Sequence, residues 1–364
     1  LRFKTLILLA LSTTAAFAQQ RGPAIVPKPA DARPASDLMS APSVILGNGQ
    51  ITAKIFLPDQ PGSFYRGTRF DRFGTVGSLT YKGQEYYGPW FEQTADVRDY
   101  VMTSEGVVAG PQSADSGPVE EFNNNAKALN FDATPPGGTF IKIGVGILRR
   151  PDDKPYDTYR SYEVVSRGKL STKTTKNAIT FTQDIYDPNS GTGYHYVKTL
   201  RLVPGKPQLV IEHLLENKGQ TEFSTMVYDH NFLVMSPGNA DLQITVPYTL
   251  APQPPPQPGR PTIDGQLKLD DHSITYLRPL ALTERGAGVQ MLGFGPTAAD
   301  YAFEIKNVRT GAGVAVKGDQ PMARNSLFAL HSIAAVEPYI AIDLAPKAKK
   351  SWSYTYTYSA PKGP

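Results

Sequence analysis

The chain has 364 residues, 37 Lys and Arg against 33 Asp and Glu, and no cysteine. Disulfides, thiol catalysis and Cys-ligated metals are therefore excluded, and a chain of this size must be held by its core. The small positive balance includes Arg2 and Lys4, and no long basic run follows, so nucleic acid is not an expected partner.

In chain order, residues 1–18 read as a secretory signal peptide. Arg2 and Lys4 form a basic head, Leu6 to Leu11 is nearly continuously apolar, and Ala16-Phe17-Ala18 supplies small residues at a cleavage point. The apolar run is too short to span a bilayer, and no later segment is long enough, so no membrane span is expected. The expected location is periplasmic or secreted. Residues 19–42 are rich in Pro and Ala with few large apolar groups, which predicts an extended, disordered leader.

From residue 43 to 364 one domain is expected. Short period-two runs recur at Ile51–Phe56, Gly77–Tyr81, Ala178–Thr182, Tyr194–Leu202 and Trp352–Tyr358, with Gly, Pro, Asn and Asp between them. This alternation predicts antiparallel strands, and strong helical periodicity is missing. Nineteen Tyr, 16 Phe, 32 Gly and 32 Pro suit many strands joined by turns. The Pro-rich stretch Ala251–Gly259 lies between strand-like segments and is expected to be a surface loop. The fold class is all-β, a large antiparallel β-sandwich.

Four blocks carry a family resemblance, in order along most of residues 43–360. They are Phe64–Tyr86; Gly117–Phe122 with Phe140–Gly146; Gly193–Leu202 with Glu216–Gly219 and Tyr228–Phe232; and Glu337–Asp343 with Ser351–Tyr358. Their arrangement resembles a secreted branch of the galactose mutarotase-like (aldose 1-epimerase) superfamily. The resemblance implies a supersandwich fold and interconversion of sugar anomers by ring opening. It maps the family's strand-end acid to His230 and its late-strand base to Glu337. The family's other site histidine has no counterpart, because the segment from Gly117 to Phe122 carries Glu120 and Glu121 instead.

Anomer interconversion needs a base for the anomeric hydroxyl and an acid for the ring oxygen. A histidine titrates near neutrality and suits the acid, while a carboxylate suits the base. Glu121 competes with Glu337 for the base role. Adjacent carboxylates in a strand point to opposite faces, so only one of Glu120 and Glu121 can enter a cleft. Arg66 and Arg69 are candidate grips for an acidic sugar, since guanidinium forks match carboxylates and phosphates. Asn231 can orient a hydroxyl, and Trp90 can stack on a pyranose. Tyr194 and His195 alternate in one strand and are secondary candidates.

The expected partner is a mono- or oligosaccharide, with acidic sugars among the candidates. No cofactor and no metal site are expected, because the remaining histidines lack ligand spacing and no HExxH motif occurs. Two other readings stay open. One is a polysaccharide lyase, led by Tyr194, His195 and Arg66. The other is a non-catalytic glycan-binding protein.

Overall fold

The computed structural model describes residues 25–361 except 59–60, 124–125, 252, 254–264, 283 and 285. The expected signal peptide and most of the Pro-rich 251–259 stretch lie outside these residues.

Alternation in the sequence becomes two facing sheets. The larger has ten strands, in the order Lys169–Thr174, Ala178–Asp187, Thr192–Leu202, Gln208–Asn217, Lys349–Ser359, Gly313–Gly318, Ala302–Asn307, Leu242–Thr245, Ser273–Tyr276 and Leu267–Asp270. The smaller has five, in the order Ala287–Gln290, Arg324–Leu330, Ile333–Leu344, Phe223–Phe232 and Gly117–Asn123. Every pairing in both is antiparallel.

Thr192–Leu202 shows why the layers meet as they do. Tyr194, Tyr196, Lys198, Leu200 and Leu202 are fully buried on one face, while His195, Val197, Thr199 and Arg201, which alternate with them, stay partly exposed. Tyr354, Tyr356 and Tyr358 repeat the pattern in Lys349–Ser359. Across the gap, Val227, Val336, Ile340 and Ile342 of the five-stranded sheet join the same core.

The five-stranded sheet is covered on its other face as well, so its strands are buried almost throughout. Phe64, Tyr65, Phe70, Trp90, Phe91, Met102 and Val107 form a second core with Phe232, Leu330 and Ile333 of that sheet. A four-stranded sheet, in the order Arg33–Pro34, Gln93–Thr94, Gly106–Ala109 and Tyr100–Thr103, contributes Met102, Val107 and Ala109 to this outer layer. Among the described residues, one strand pair is parallel, Gln93–Thr94 with Gly106–Ala109.

Residues 25–42, expected to be extended and unpacked, instead lie along this outer layer. Val26 N–H donates to Met102 O at 2.9 Å, and Arg33–Pro34 pairs with Gln93–Thr94. Ala35 and Ala41 are buried around a short 3-10 turn, Ala35–Ser40. Composition misleads here because small alanines can fill gaps between aromatic neighbours, and backbone hydrogen bonds make no demand on side-chain type. Among the described residues, no helix is long and apolar enough to cross a membrane.

Candidate active site

The outer face of the five-stranded sheet carries the site, and strand register dictates its layout. Three rows cross the strands. The first holds Arg324, Tyr339, Tyr228 and Glu121, each opposite the next. The second holds Ser326 opposite Glu337 and His230 opposite Val119. The same register continues from Tyr228–Tyr339 to the Leu233–Ala334 bridge, which sets His230 beside Glu337. The third brings Phe328 and Phe232 to the same face, flanking the histidine.

His230 Nε2 lies 3.0 Å from Glu337 Oε1, with side chains only 6% and 12% exposed. The second oxygen, Glu337 Oε2, accepts from the Ser326 hydroxyl at 3.0 Å. Burial pushes the Glu337 carboxyl up, but His230 and its hydrogen bond, then Ser326 and Arg324, hold it below the usual range. Glu337 is therefore an ionised acceptor at neutral pH, facing the one histidine of this face. His230 Nδ1 has no hydrogen-bond partner among the described residues.

Aromatic packing fixes the imidazole plane. Phe232 stacks under it with centroids 3.8 Å apart, and Trp90 stacks under Phe232 at 5.5 Å. Phe70 and Phe328 meet its edges, each at 5.8 Å. Trp90 is thus two layers behind the histidine and 2% exposed, so it supports the site and offers no face to a sugar.

Glu121 reaches the same face but is fully committed. Its Oε1 accepts from Lys142 Nζ at 3.1 Å and Thr158 Oγ1 at 2.8 Å. Its Oε2 accepts from Arg69 Nε at 2.9 Å and Tyr228 OH at 2.7 Å. Burial alone would raise this carboxyl. Lys142, Arg69 and the hydrogen bonds from Arg69 and Tyr228 outweigh it and hold the group well below the usual range. Four donors on two oxygens leave no lone pair for a sugar proton, so Glu121 is a poor base. Glu120, as strand alternation requires, points the other way, into the gap between the large sheets. There it meets Lys198, and His213 Nε2 at 2.6 Å.

Arg66, Arg69 and Arg72 follow one another at three-residue spacing but diverge in the fold. Arg69 enters the site, with its guanidinium over Phe70 at 4.4 Å and over Tyr159 at 5.1 Å. Arg66 is exposed, and its Nε donates to Ser63 O at 3.1 Å. Arg72 is buried against Tyr65 O. Arg66 is therefore not beside His230.

Three other expected residues lie elsewhere. Asn231 follows His230 and so faces the sandwich interior, where it bonds Val336 O at 2.8 Å and accepts from Tyr356 OH at 2.8 Å. Tyr194 is fully buried and donates to Gln183 Oε1 at 2.6 Å. His195 lies on the opposite, outer face of that strand and pairs with Asp184 at 2.7 Å. Tyr194 and His195 therefore share no cleft, which removes the constellation of the lyase reading.

Several further residues share this site. Arg324 lies over Tyr339 at 4.4 Å, and Tyr339 stacks on Tyr228 at 4.2 Å. Asp99 has a left-handed backbone, φ 58°, and accepts from Ser113 Oγ at 2.6 Å. Burial raises its carboxyl, while Arg69 and His230 act on it in the opposite sense. Period-two alternation around Glu337 would have found Tyr339, and strand pairing is needed for the rest.

With this geometry in view, comparison with solved structures gives a consistent neighbourhood. A galactose mutarotase-like protein from Lactobacillus casei ATCC 334 aligns over 87% of this chain and 100% of its own, with TM-score 0.50 and 13% identity. A GalM/aldose epimerase homologue from C. elegans aligns over 89% and 100%, with TM-score 0.50 and 11% identity. A protein from Synechocystis sp. PCC 6803 aligns over 88% and 96%, with TM-score 0.51 and 11% identity. This chain has the galactose mutarotase-like fold. No family model matches the sequence, and no curated protein matches it either. At this identity the likeness concerns the mutarotase-like fold alone, and chemistry rests on the residues above.

Proposed function

We propose that this protein is an aldose 1-epimerase-like isomerase that interconverts the anomers of a sugar by acid/base ring opening. One observation carries the reading: a buried histidine and an ionised carboxylate, 3.0 Å apart on neighbouring strands, share the outer face of a mutarotase-like sandwich. Glu337 takes the anomeric hydroxyl proton and His230 delivers a proton to the ring oxygen. The ring opens, the carbonyl carbon turns, and closure on its other face returns both protons. No cofactor enters this balance, since each proton taken by one group is matched by one given by the other.

Glu121 has no role in that transfer. With Arg69, Lys142 and Tyr228 it forms a rigid polar wall to the cleft. The wall also bears on substrate charge. Arg69 is already engaged by Glu121, and Arg66 faces outward, so a neutral aldose fits better than a sugar acid. The chemistry belongs outside the cytoplasm if the reading of residues 1–18 holds, and a secreted or periplasmic location is part of the proposal.

The test is mutarotation of freshly dissolved aldoses, followed by polarimetry, for the wild type, His230→Ala and Glu337→Gln. Each positioned transfer contributes roughly 10²–10⁴-fold, so each variant is expected to lose about that much while melting cooperatively. A wild type no faster than buffer on every sugar overturns the reading.

A further inference from the structure

The two strands that carry His230 and Glu337 lose their ladder at that pair. Phe223–Phe232 and Ile333–Leu344 are paired from Phe223–Leu344 to Tyr228–Tyr339, and again at the Leu233–Ala334 bridge. The four positions between, Asp229 to Phe232 against Pro338 to Ala335, are unpaired. On their other edges both strands stay paired over the same stretch, with Gly117–Asn123 and with Arg324–Leu330. Resting on the epimerase-like reading, we infer that Asn231 and Tyr356 are positioning residues for the reaction. The Asn231 amide takes the place of a missing rung, Tyr356 locks that amide, and His230 and Glu337 are thereby kept in reach of each other.

Backbone chemistry accounts for the gap. Leu233 and Ala334 exchange hydrogen bonds, at 3.4 Å and 3.2 Å. Alternation then makes Asn231–Val336 and Asp229–Pro338 the next exchanging pairs along the strands. Pro338 has no N–H to give to Asp229 O. Asn231 O accepts the Leu233 N–H of its own strand at 2.9 Å, instead of a bond across the gap. Each rung beside the catalytic pair therefore lacks a main-chain bond. His230 and Glu337 lie between those rungs as a non-exchanging pair, the kind whose side chains stand closer. Their 3.0 Å contact thus depends on how far apart the two strands are held.

The Asn231 side chain supplies a bond where the ladder fails. Its Nδ2 donates to Val336 O at 2.8 Å and reaches Asp229 O at 3.4 Å. These carbonyls belong to the two strands, one residue from Glu337 and one from His230. The amide does this only with its nitrogen turned toward the gap, and Tyr356 sets that turn. The Tyr356 hydroxyl donates to Asn231 Oδ1 at 2.8 Å and lies 3.1 Å from Asp229 Oδ2. One hydroxyl from the facing ten-stranded sheet therefore holds both chain neighbours of His230. Asn231 and Tyr356 are fully buried, so a lost bond leaves its partner unpaired. Neither faces the cleft, and neither touches the sugar. They act through His230 and Glu337, where a misplacement of about 1 Å costs on the order of 10²-fold in rate.

The experiment measures kcat and KM for mutarotation of glucose and galactose by the full chain, as wild type, Asn231→Leu and Tyr356→Phe. Rates are expressed per folded molecule, with the folded fraction taken from thermal melting. In parallel, the imidazole N–H resonance of His230 is followed by NMR in protein carrying isotopically labelled histidine, with His230→Ala to assign it. Glu337 is the acceptor, so Nε2 carries the proton, and the wild type is expected to show one sharp, slowly exchanging signal. Asn231→Leu is expected to lower kcat about 100-fold and Tyr356→Phe about tenfold, with KM changed by less than about threefold. The signal is expected to broaden or vanish in both. If the wild type turns over no sugar and both substitutions still broaden the signal, the epimerase reading fails and the positioning of the pair stands. A wild type without a sharp signal shows a pair that is not held, and overturns the inference. A Tyr356→Phe variant with an unchanged signal, or with unchanged kcat per folded molecule in an active enzyme, overturns it whether or not Asn231→Leu folds.

Discussion

Glu121 and Glu337 are both carboxylates on one face of one sheet, and their surroundings separate them. Glu337 has one histidine and one hydroxyl, while Glu121 has two cations and two hydroxyls. Removing the Glu121 charge leaves Lys142 fully buried and Arg69 nearly so, both without their anion. Breaking such a buried pair from one side costs about 3–5 kcal/mol. Glu121→Gln is therefore expected to lower the urea-unfolding free energy by about that amount, with part of the loss recovered in Glu121→Gln/Lys142→Met. Turnover by the folded fraction should change far less than the 10²-fold or more expected of a base. A folded Glu121→Gln with turnover reduced a hundredfold would make Glu121 a participant in the chemistry. Much of this division is legible in the sequence, because parity alone separates Glu120 from Glu121 and pairs His230 with Tyr228. Parity does not say which face is the interior. That is why Asn231 and Tyr194, reasonable by residue type, turn out to satisfy core hydrogen bonds.

At the scale of elements, long alternating strands are legible and short ones are not. Ile51–Phe56 is found with its bounds intact, and the run from Tyr194 to Leu202 falls within Thr192–Leu202. The two-residue strands of the outer layer have too few residues to show a period. The hairpin Thr139–Lys142 with Gly146–Arg149 illustrates how a local turn serves the site. It brings Lys142 to Glu121, and Gly144 at its tip has φ 77°. A Cβ there would sit 2.5 Å from Asp71 Oδ1, and the Gly144 N–H already faces Tyr194 OH at 3.3 Å. Strain at a left-handed position costs about 1–3 kcal/mol, and the clash adds displacement of a buried carboxylate. Gly144→Ala is expected to lower the thermal midpoint by several degrees and to lower turnover, as Lys142 and Glu121 shift together. Wild-type melting and turnover in Gly144→Ala would show that the turn tolerates a side chain and does not position the wall.

Across the whole molecule, the gap between the two large sheets holds an unusual amount of charge for a core. Asp71 and Glu120 meet Lys198 there, His213 bonds Glu120, and Asp229 accepts from Tyr356 OH at 3.1 Å. Asp115 lies alongside, bonded to Thr75 Oγ1 at 2.9 Å. Burial raises Asp229 to about 7 and Asp115 to about 8, in each case against a lowering by Lys198, and burial raises Asp71 too. Burial and Lys198 push His213 well below its usual value. These directions fix how stability varies with pH. A carboxyl whose folded pKa is raised holds its proton in the native state alone between about 4 and its folded value. Its contribution is complete below the unfolded pKa and is lost as pH rises through the folded one. The His213 contribution has the opposite slope, being complete above about 6.5 and lost as pH falls below it. Below pH 6.5 the imidazole thus offsets part of the carboxyl effect, and above it the carboxyls act alone. The thermal midpoint is therefore expected to fall between pH 6.5 and 8.5. The double variant Asp115→Asn/Asp229→Asn, which has no proton to lose, should show a flatter profile over that window. On the acid side, the depressed carboxyls of Glu121 and Glu337 contribute stability that is lost as pH drops through their folded values. Calorimetry of wild type and double variant across both limbs checks the scheme. A wild-type midpoint that is level from 6.5 to 8.5 would mean that Asp115 and Asp229 are ionised at neutral pH, with Lys198 serving as the counter-charge for the whole cluster.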